Sequence, residues 1–336
     1  MIQTFLKYIA SSIPLGVPLL YGSTGEIITE KGGHLNLGIP GIMYVGAISS
    51  MTGAFIYEGM CNNAGVAVNP ALAVLIPVLC CIIGSVLMGL IYSFLTVTLK
   101  VNQNVTGLAM TTFGVGLGNF LGGSLIKLVD NGLAYVKVPQ TSSCFHLSIP
   151  GADSLGWFGQ LFLSHDFLTY MAIAIAILAS WILNRTRVGL NLRAVGENPA
   201  TADAAGINVN LYKYLSTAIG SAVAGLGGLQ YVMVYADGGW TNDAFGDRGW
   251  MAIALVIFAL WKPWMAVIGS FLFGMLCNLN NYMPLFGVPL GTDTQELFNM
   301  LPYVVTLLVL VITSMRKKRE HQPPQSLGLP YFREER

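Results

Sequence analysis

The residue types that carry catalysis are sparse in this sequence, and their spacing excludes most of the chemistries they could perform. The four histidines, His34, His146, His165 and His321, form neither an H-E-x-x-H pair nor another ligand spacing, so a zinc enzyme has little support and no metal site is assigned. No G-x-x-x-x-G-K-[ST] phosphate loop occurs, so nucleotide hydrolysis would have to come from another polypeptide. Ionisable groups inside apolar runs usually mark ion or proton relays. The runs 71–98 and 211–235 contain no Asp or Glu, and Lys213 sits only at the edge of the second. Asp130, Asp237, Asp243, Asp247 and Glu296 fall in outer loops or at helix ends, where solvation is the default reading, and the Gly-Ala-Asp at 151–153 is no intramembrane aspartyl protease signature. No catalytic residue is assigned.

What remains is a polar stretch suited to contact rather than reaction. Arg185 to Lys213 is a mixed-charge, soluble-looking loop between two strongly apolar segments. Within it Asn198 suits a helix N-cap, Pro199 the first helical position and Gly206 a left-handed stop, which predicts a helix from Pro199 to Ala205 of about two turns. A helix that short falls below the roughly 12 to 15 residues needed for marginal stability alone, so it must be held by docking.

The elements that must position this stretch are membrane spans. The chain has 336 residues, 54% hydrophobic and 10% charged, against the roughly 25% charged of a soluble domain. A net charge of +1 gives no basic surface for nucleic acid. Candidate spans of about 20 residues lie near 4–22, 37–57, 71–98, 105–121, 167–183, 211–235, 251–261, 264–281 and 297–315, the seventh too short to cross comfortably. Basic loops mark the cytoplasm, and two stand out: Arg185, Arg187, Arg193 and Lys213 in the polar stretch, and Arg316, Lys317, Lys318 and Arg319 after the last span. An even number of spans separates them, so both fall inside, with Lys262-Pro263 as a tight inner turn. The segment 122–166 then falls outside as a folded cap, and counting back leaves the N-terminus outside. Cys80, Cys81 and Cys277 read as packing residues, while Cys61 and Cys144 fall in outer loops where spacing does not decide whether they pair.

Four ordered motifs carry a family resemblance. R-A-V-G-E-N-P-A-T-A-D-A-A-G-I-N-V, Arg193 to Val209, closely resembles the cytoplasmic coupling segment of permeases in bacterial ABC importers for nucleosides, ribose-type sugars and branched-chain amino acids. It is closest to the nucleoside permeases that work with basic-membrane-protein-type binding lipoproteins. G-E-I-I-T-E-K-G-G-H-L-N-L-G-I-P-G-I-M, Gly25 to Met43, resembles the family's G-E-x-x-x-E-x-x-G-x-L-N-L-G-x-x-G, although many relatives carry an acid where this chain has Pro40. N-Q-N-V-T-G-L-A-M, Asn102 to Met110, resembles N-x-x-x-x-G-L. Gly246 to Pro263 resembles G-R-G-x-x-A-L-A-x-x-I-F-G-x-W-x-P, with Ala259-Leu260 replacing the usual glycine spacing.

The resemblance implies an all-α integral membrane protein of about 8–10 transmembrane or re-entrant helices, a type II-like ABC importer permease bundle in the bacterial cell membrane. It divides the chain into a permease domain over 1–315, with a coupling loop at 185–213 and the outside cap, and a mobile cytoplasmic tail over 316–336. Arg193, Gly196, Glu197, Asn198, Pro199, Asp203, Gly206 and Ile207 become the ATPase-coupling residues. Glu197 and Asp203 are the expected contacts to the ATPase groove, and Arg193 an anchor to the protein's own core or to anionic lipid. Glu26, Asn36, Gly38, Gly41, Asn102, Gln103, Asn104 and Gly107 become path or support residues. Asn36 reads equally as satisfying a broken backbone, and Asn102 to Asn104 as the start of a helix. Family members usually begin inside, and Gly22 to Gly46 holds seven glycines and Pro40, so one broken or re-entrant segment is expected there. The implied partners are an ABC ATPase that carries ATP and Mg, a second permease, a substrate-binding lipoprotein and the bilayer, with no cofactor on this chain. A self-contained secondary carrier would leave Arg193 to Val209 without a purpose, and a membrane enzyme would lack a catalytic constellation.

Overall fold

Long apolar runs must satisfy every backbone N–H and C=O internally once water is excluded, and helices do so within one segment. The computed structural model describes residues 2–129, 134–147, 156–286, 292–316 and 322–333. In chain order the elements are α1 (Ile2–Lys31), α2 (Ile39–Ala64), α3 (Pro70–Ser93), α4 (Gln103–Val129), β1 (Val136–Lys137), α5 (Pro139–Ser143), α6 (Gly156–Phe162), α7 (Phe167–Arg185), α8 (Arg187–Glu197) and α9 (Pro199–Ala204). They continue with α10 (Val209–Gln230), β2 (Gly239–Trp240), α11 (Arg248–Phe258), α12 (Pro263–Tyr282), α13 (Thr292–Asn299) and α14 (Leu301–Arg316). Two π-helical turns, Phe94–Thr98 and Tyr231–Tyr235, extend α3 and α10.

Among the described residues six helices are long and apolar enough to cross a membrane: α2, α3, α4, α7, α10 and α12, three of them including the turns that follow. The spans of α2 and α10 are 78% and 83% buried within this one chain, those of α3 and α4 only 28% and 22%, so the first two are central and the last two peripheral. Small residues make the centre dense. Gly25 of α1 and Gly220 of α10 press backbone to backbone, where a Cβ on either would overlap the other's carbonyl, and Gly225 and Gly228 bring α10 equally close to α2.

One end of the bundle carries α8 and α9, and around it Lys31, Arg193, Glu197 and Lys262 share a crevice. We call this the coupling end. The other end carries the strand pair of β1 and β2, with Val136 opposite Trp240, together with α5 and α6. There His146 bridges Asp166 at 3.3 Å and Asp237 at 3.2 Å, and Glu58 of α2 accepts from the Thr141 N–H at 2.9 Å. Burial pushes the Asp166 carboxyl above its ordinary range, and His146 partly offsets this.

Several sequence expectations change. The segment Gly22 to Gly46 is broken rather than re-entrant: α1 continues to Lys31 through Pro14 and Pro18, and the chain leaves helix over 32–38. Its glycines sit where neighbouring helices touch, so packing overrides their low propensity. Tyr8 donates to the Met275 carbonyl at 2.6 Å near the cap end of α12, which puts the start of α1 opposite the coupling end, as direct counting of spans requires. The coupling loop holds a second helix, α8, and α4 runs eight residues into the expected cap. Cys61 and Cys144 are free thiols. Residues 322–333 are packed rather than a loose tail, for the contacts given below. Asp130, Gly151 to Asp153, Lys317 to Glu320 and His321 lie outside the described residues, as do the side chains of Glu296 and Arg316.

Candidate functional site

The helix α9 is built as its sequence dictates. The Asn198 side chain accepts from the Thr201 N–H at 3.0 Å, and Pro199 occupies the first turn. At the other end Gly206 adopts φ +83°, the Gly206 N–H donates to the Asp203 carbonyl at 2.9 Å, and the Ile207 N–H donates to the Ala202 carbonyl at 3.0 Å. This pair of bonds is a Schellman stop. The required docking comes from a small apolar cluster of Val195 from α8, Ala202 from α9 and Val209 from α10, with Ile207, Tyr212 and Tyr331 against it. These side chains pack α9 against α8 and the start of α10.

The C-terminal segment completes this dock, which sequence reading missed. Tyr331 donates to the Asp203 carboxylate at 2.8 Å and Arg333 pairs with it at 3.2 Å. The Ser326 N–H donates to the Gly196 carbonyl at 3.0 Å, the Gln103 amide donates to the Leu329 carbonyl at 3.3 Å, and the Lys100 ammonium lies 4.3 Å from the centre of the Phe332 ring. Asp203, expected to reach outward, is thus engaged within its own chain. Glu197 remains exposed. Arg193 lines the crevice with Lys31 and Trp261, so its position fits the core-anchor alternative. Gly196 is buried, and a Cβ there would run into the Lys31 carbonyl where α1 ends.

The path or support residues gather around the break at 32–38, and a backbone accounting explains them. Buried N–H and C=O groups outside regular helix need partners. Glu26 accepts from the Asn36 N–H at 3.0 Å, the Asn36 side chain accepts from the Gly38 N–H at 3.0 Å, and Gln103 accepts from the Leu35 N–H at 2.8 Å. Tyr92 donates to the Leu35 carbonyl at 2.6 Å and Thr111 to the Leu37 carbonyl at 2.7 Å. Glu26, Asn36 and Gln103 therefore hold a broken backbone among α1, α3 and α4. Asn102 and Asn104 are exposed, and Asn102 caps α4 by accepting from the Asn104 and Val105 N–H groups at 3.0 and 3.2 Å. Gly38, Gly41 and Gly107 are buried where α2 or the break meets α4.

A second acid that motif reading passed over, Glu30, ties this cluster to the opposite wall. Its carboxylate, one turn along α1 from Glu26, accepts from the Trp261 indole. Leu260 and Trp261 both take left-handed backbone, φ +54° and +55°, at the turn between α11 and α12. Non-glycine residues pay strain there, which the Trp261 hydrogen bond helps to offset. Lys262-Pro263 marks this turn in the sequence, whereas Leu260 and Trp261 carry no residue-type signal for left-handed backbone.

The family profile described as branched-chain amino acid transport system / permease component matches residues 8–310, and the chain belongs to that family. It is a multi-pass cell membrane protein and a transporter permease subunit rather than an enzyme. It is 29% identical over 315 residues to the nucleoside ABC transporter permease protein NupC of Lactococcus lactis, covering 93% of each chain. It is 27% identical over 337 residues to the guanosine ABC transporter permease protein NupQ of Bacillus subtilis, covering 100% of this chain and 99% of that one. A putative glucose ABC transporter permease protein of Haloferax volcanii is 29% identical over 347 residues, with 96% and 97% covered.

Proposed function

We propose that this chain forms half of the membrane pathway of an importer for nucleosides, with a purine-type ligand, driven by a separate ATPase chain that binds ATP and Mg. The observation that carries the reading is α9: a six-residue helix, capped at both ends and wedged by Val195, Ala202 and Val209 against the start of α10. Closure of an ATPase groove around α9 would push α10, the most buried span, and so alternate the bundle's access. The cap end would receive substrate from a binding lipoprotein. A non-identical second permease is favoured because both NupB and NupC of Lactococcus lactis match this chain, NupB at 26% identity over 269 residues.

The nucleoside reading draws on two relatives named for nucleoside or guanosine transport, and the Haloferax relative supports a simple sugar as the second reading. The test is uptake into proteoliposomes by this chain assembled with its ATPase, second permease and lipoprotein. ATP-dependent guanosine or adenosine accumulation with no glucose or ribose uptake is the expected result. Sugar uptake alone would replace the nucleoside reading with the second one.

A further inference from the structure

At the cap end a cavity of about 430 Å³ lies between α1, α11, α12 and α14, remote from the coupling machinery. Its size falls within the roughly 300–1,000 Å³ of small-molecule sites. Its wall includes Tyr235, Asp247, Arg248, Asn281 and Tyr303, a mixture of ring, guanidinium, carboxylate, amide and hydroxyl. Leu15, Met251 and Met300 complete the wall, so the cavity offers apolar surface beside hydrogen-bonding groups.

Two observations show that this wall is built. First, α10 departs from regular helix here, in the π-helical turn Tyr231–Tyr235, and π turns are rare and concentrate at functional sites. The turn stacks the Tyr231 and Tyr235 rings at 5.3 Å with planes 28° apart. Second, the Arg248 guanidinium lies over both rings, 4.5 Å from the centre of Tyr231 and 5.3 Å from that of Tyr235. Its Nη1 donates to the carbonyls of Ala244 and Phe245 at 3.3 and 2.8 Å, which fixes the guanidinium plane at the start of α11. Tyr231 is 7% exposed and Tyr235 44%, so the stack presents its outer ring to the cavity.

We infer that this cavity is the first station for an incoming nucleoside, with the base stacked on the Tyr235 and Arg248 surface and the sugar hydroxyls met by Asp247, Asn281 and Tyr303. Planar bases stack on aromatic rings and on arginine planes, and a carboxylate beside an amide pairs with vicinal hydroxyls. The inference rests on the nucleoside reading and deepens it by giving that ligand a place in this chain.

The assembled transporter in proteoliposomes provides the test. Photolysis with 8-azidoadenosine should label peptides containing Tyr235, Arg248, Asn281 or Tyr303, and excess adenosine should suppress the labelling. At saturating lipoprotein, Tyr235→Leu should lower the maximal rate of purine nucleoside uptake about tenfold at an unchanged membrane level, as expected for losing one base-stacking contact. The loss should be smaller for a pyrimidine nucleoside, whose base offers less ring area, and Tyr235→Phe should restore the rate. Label confined to other peptides, or purine uptake by Tyr235→Leu equal to wild type, overturns the assignment while leaving nucleoside import standing. Wild-type transporter that carries sugars and no nucleoside overturns both.

Discussion

Replacing Gly206 with Val isolates the coupling helix from everything else in the protein. The residue sits at φ +83°, and a Cβ built there meets nothing within 4 Å, so no clash contributes and the cost is conformational. Left-handed backbone costs an L-residue about 1–2 kcal/mol. That corresponds to a roughly 5- to 30-fold shift toward local opening of α9, since each factor of ten is about 1.4 kcal/mol. The bonds at risk are those from the Gly206 and Ile207 N–H groups to the carbonyls of Asp203 and Ala202. Hydrogen exchange of the assembled transporter should show the Ile207 amide and its α9 neighbours exchanging faster by that factor, with the amides of α2 and α10 unchanged. ATP hydrolysed per substrate imported should rise, while membrane insertion stays intact. Gly206→Asn should fall between Val and wild type, because Asn tolerates the left-handed region. Undiminished uptake by the Val variant, or equal exchange in the Val and Asn variants, would refute the stop as the feature that holds α9.

Removing residues 322–336 should expose the dock of α9 and raise exchange at Ala202 and Asp203, while Tyr331→Phe alone, losing one hydrogen bond to a carboxylate, should cost about 1.5–3 kcal/mol in the same assay. Gln103→Leu should leave the Leu35 N–H buried without its acceptor and destabilise the purified permease by about 1–3 kcal/mol, read as a lower midpoint of thermal unfolding in detergent. Gly25→Ala should force α1 from α10 at the Gly220 carbonyl, and overpacking of this kind costs about 1–3 kcal/mol, visible as a reduced yield of monodisperse protein.

Local signals were readable before the structure. Asn198, Pro199 and Gly206 each act through their own backbone, so capping rules placed α9 within one residue of its observed end. Span centres were legible too, because hydropathy over about 20 residues averages out local detail, but their ends were not: α1 runs to Lys31 and α4 to Val129, past the expected 22 and 121. Long-range pairing was not legible. Nothing near Asp203 in the chain announces Tyr331 and Arg333 as its partners, and the proline-containing tail reads as loose until Ser326 is seen against Gly196. The glycines of Gly22 to Gly46 were only half legible for a related reason. Propensity alone treats glycine as a breaker, which holds at Gly32, Gly33 and Gly38, whereas Gly25 and Gly46 stay helical against Gly220 and Gly225, far along the chain. Asn36 shows the intermediate case: its polarity marked it, and only the backbone count around 32–38 separated support from pathway.

The glycine contacts of α10 also limit how that helix can travel. Interlocked large side chains act like teeth, and a helix held by them must climb over one ridge before it settles at the next. Where Gly220, Gly225 and Gly228 meet α1, α3 and α2 the teeth are small: the Gly25 and Met43 carbonyls and the Thr29 and Ser85 hydroxyls. Such a surface behaves as a bearing. It resists separation, because the close approach would be lost, yet offers little resistance to a small slide along the axis, the shear motion of packed helices. A push on α9 at one end would then drive α10 lengthwise, as a piston, and carry the Tyr231–Tyr235 turn with it at the other.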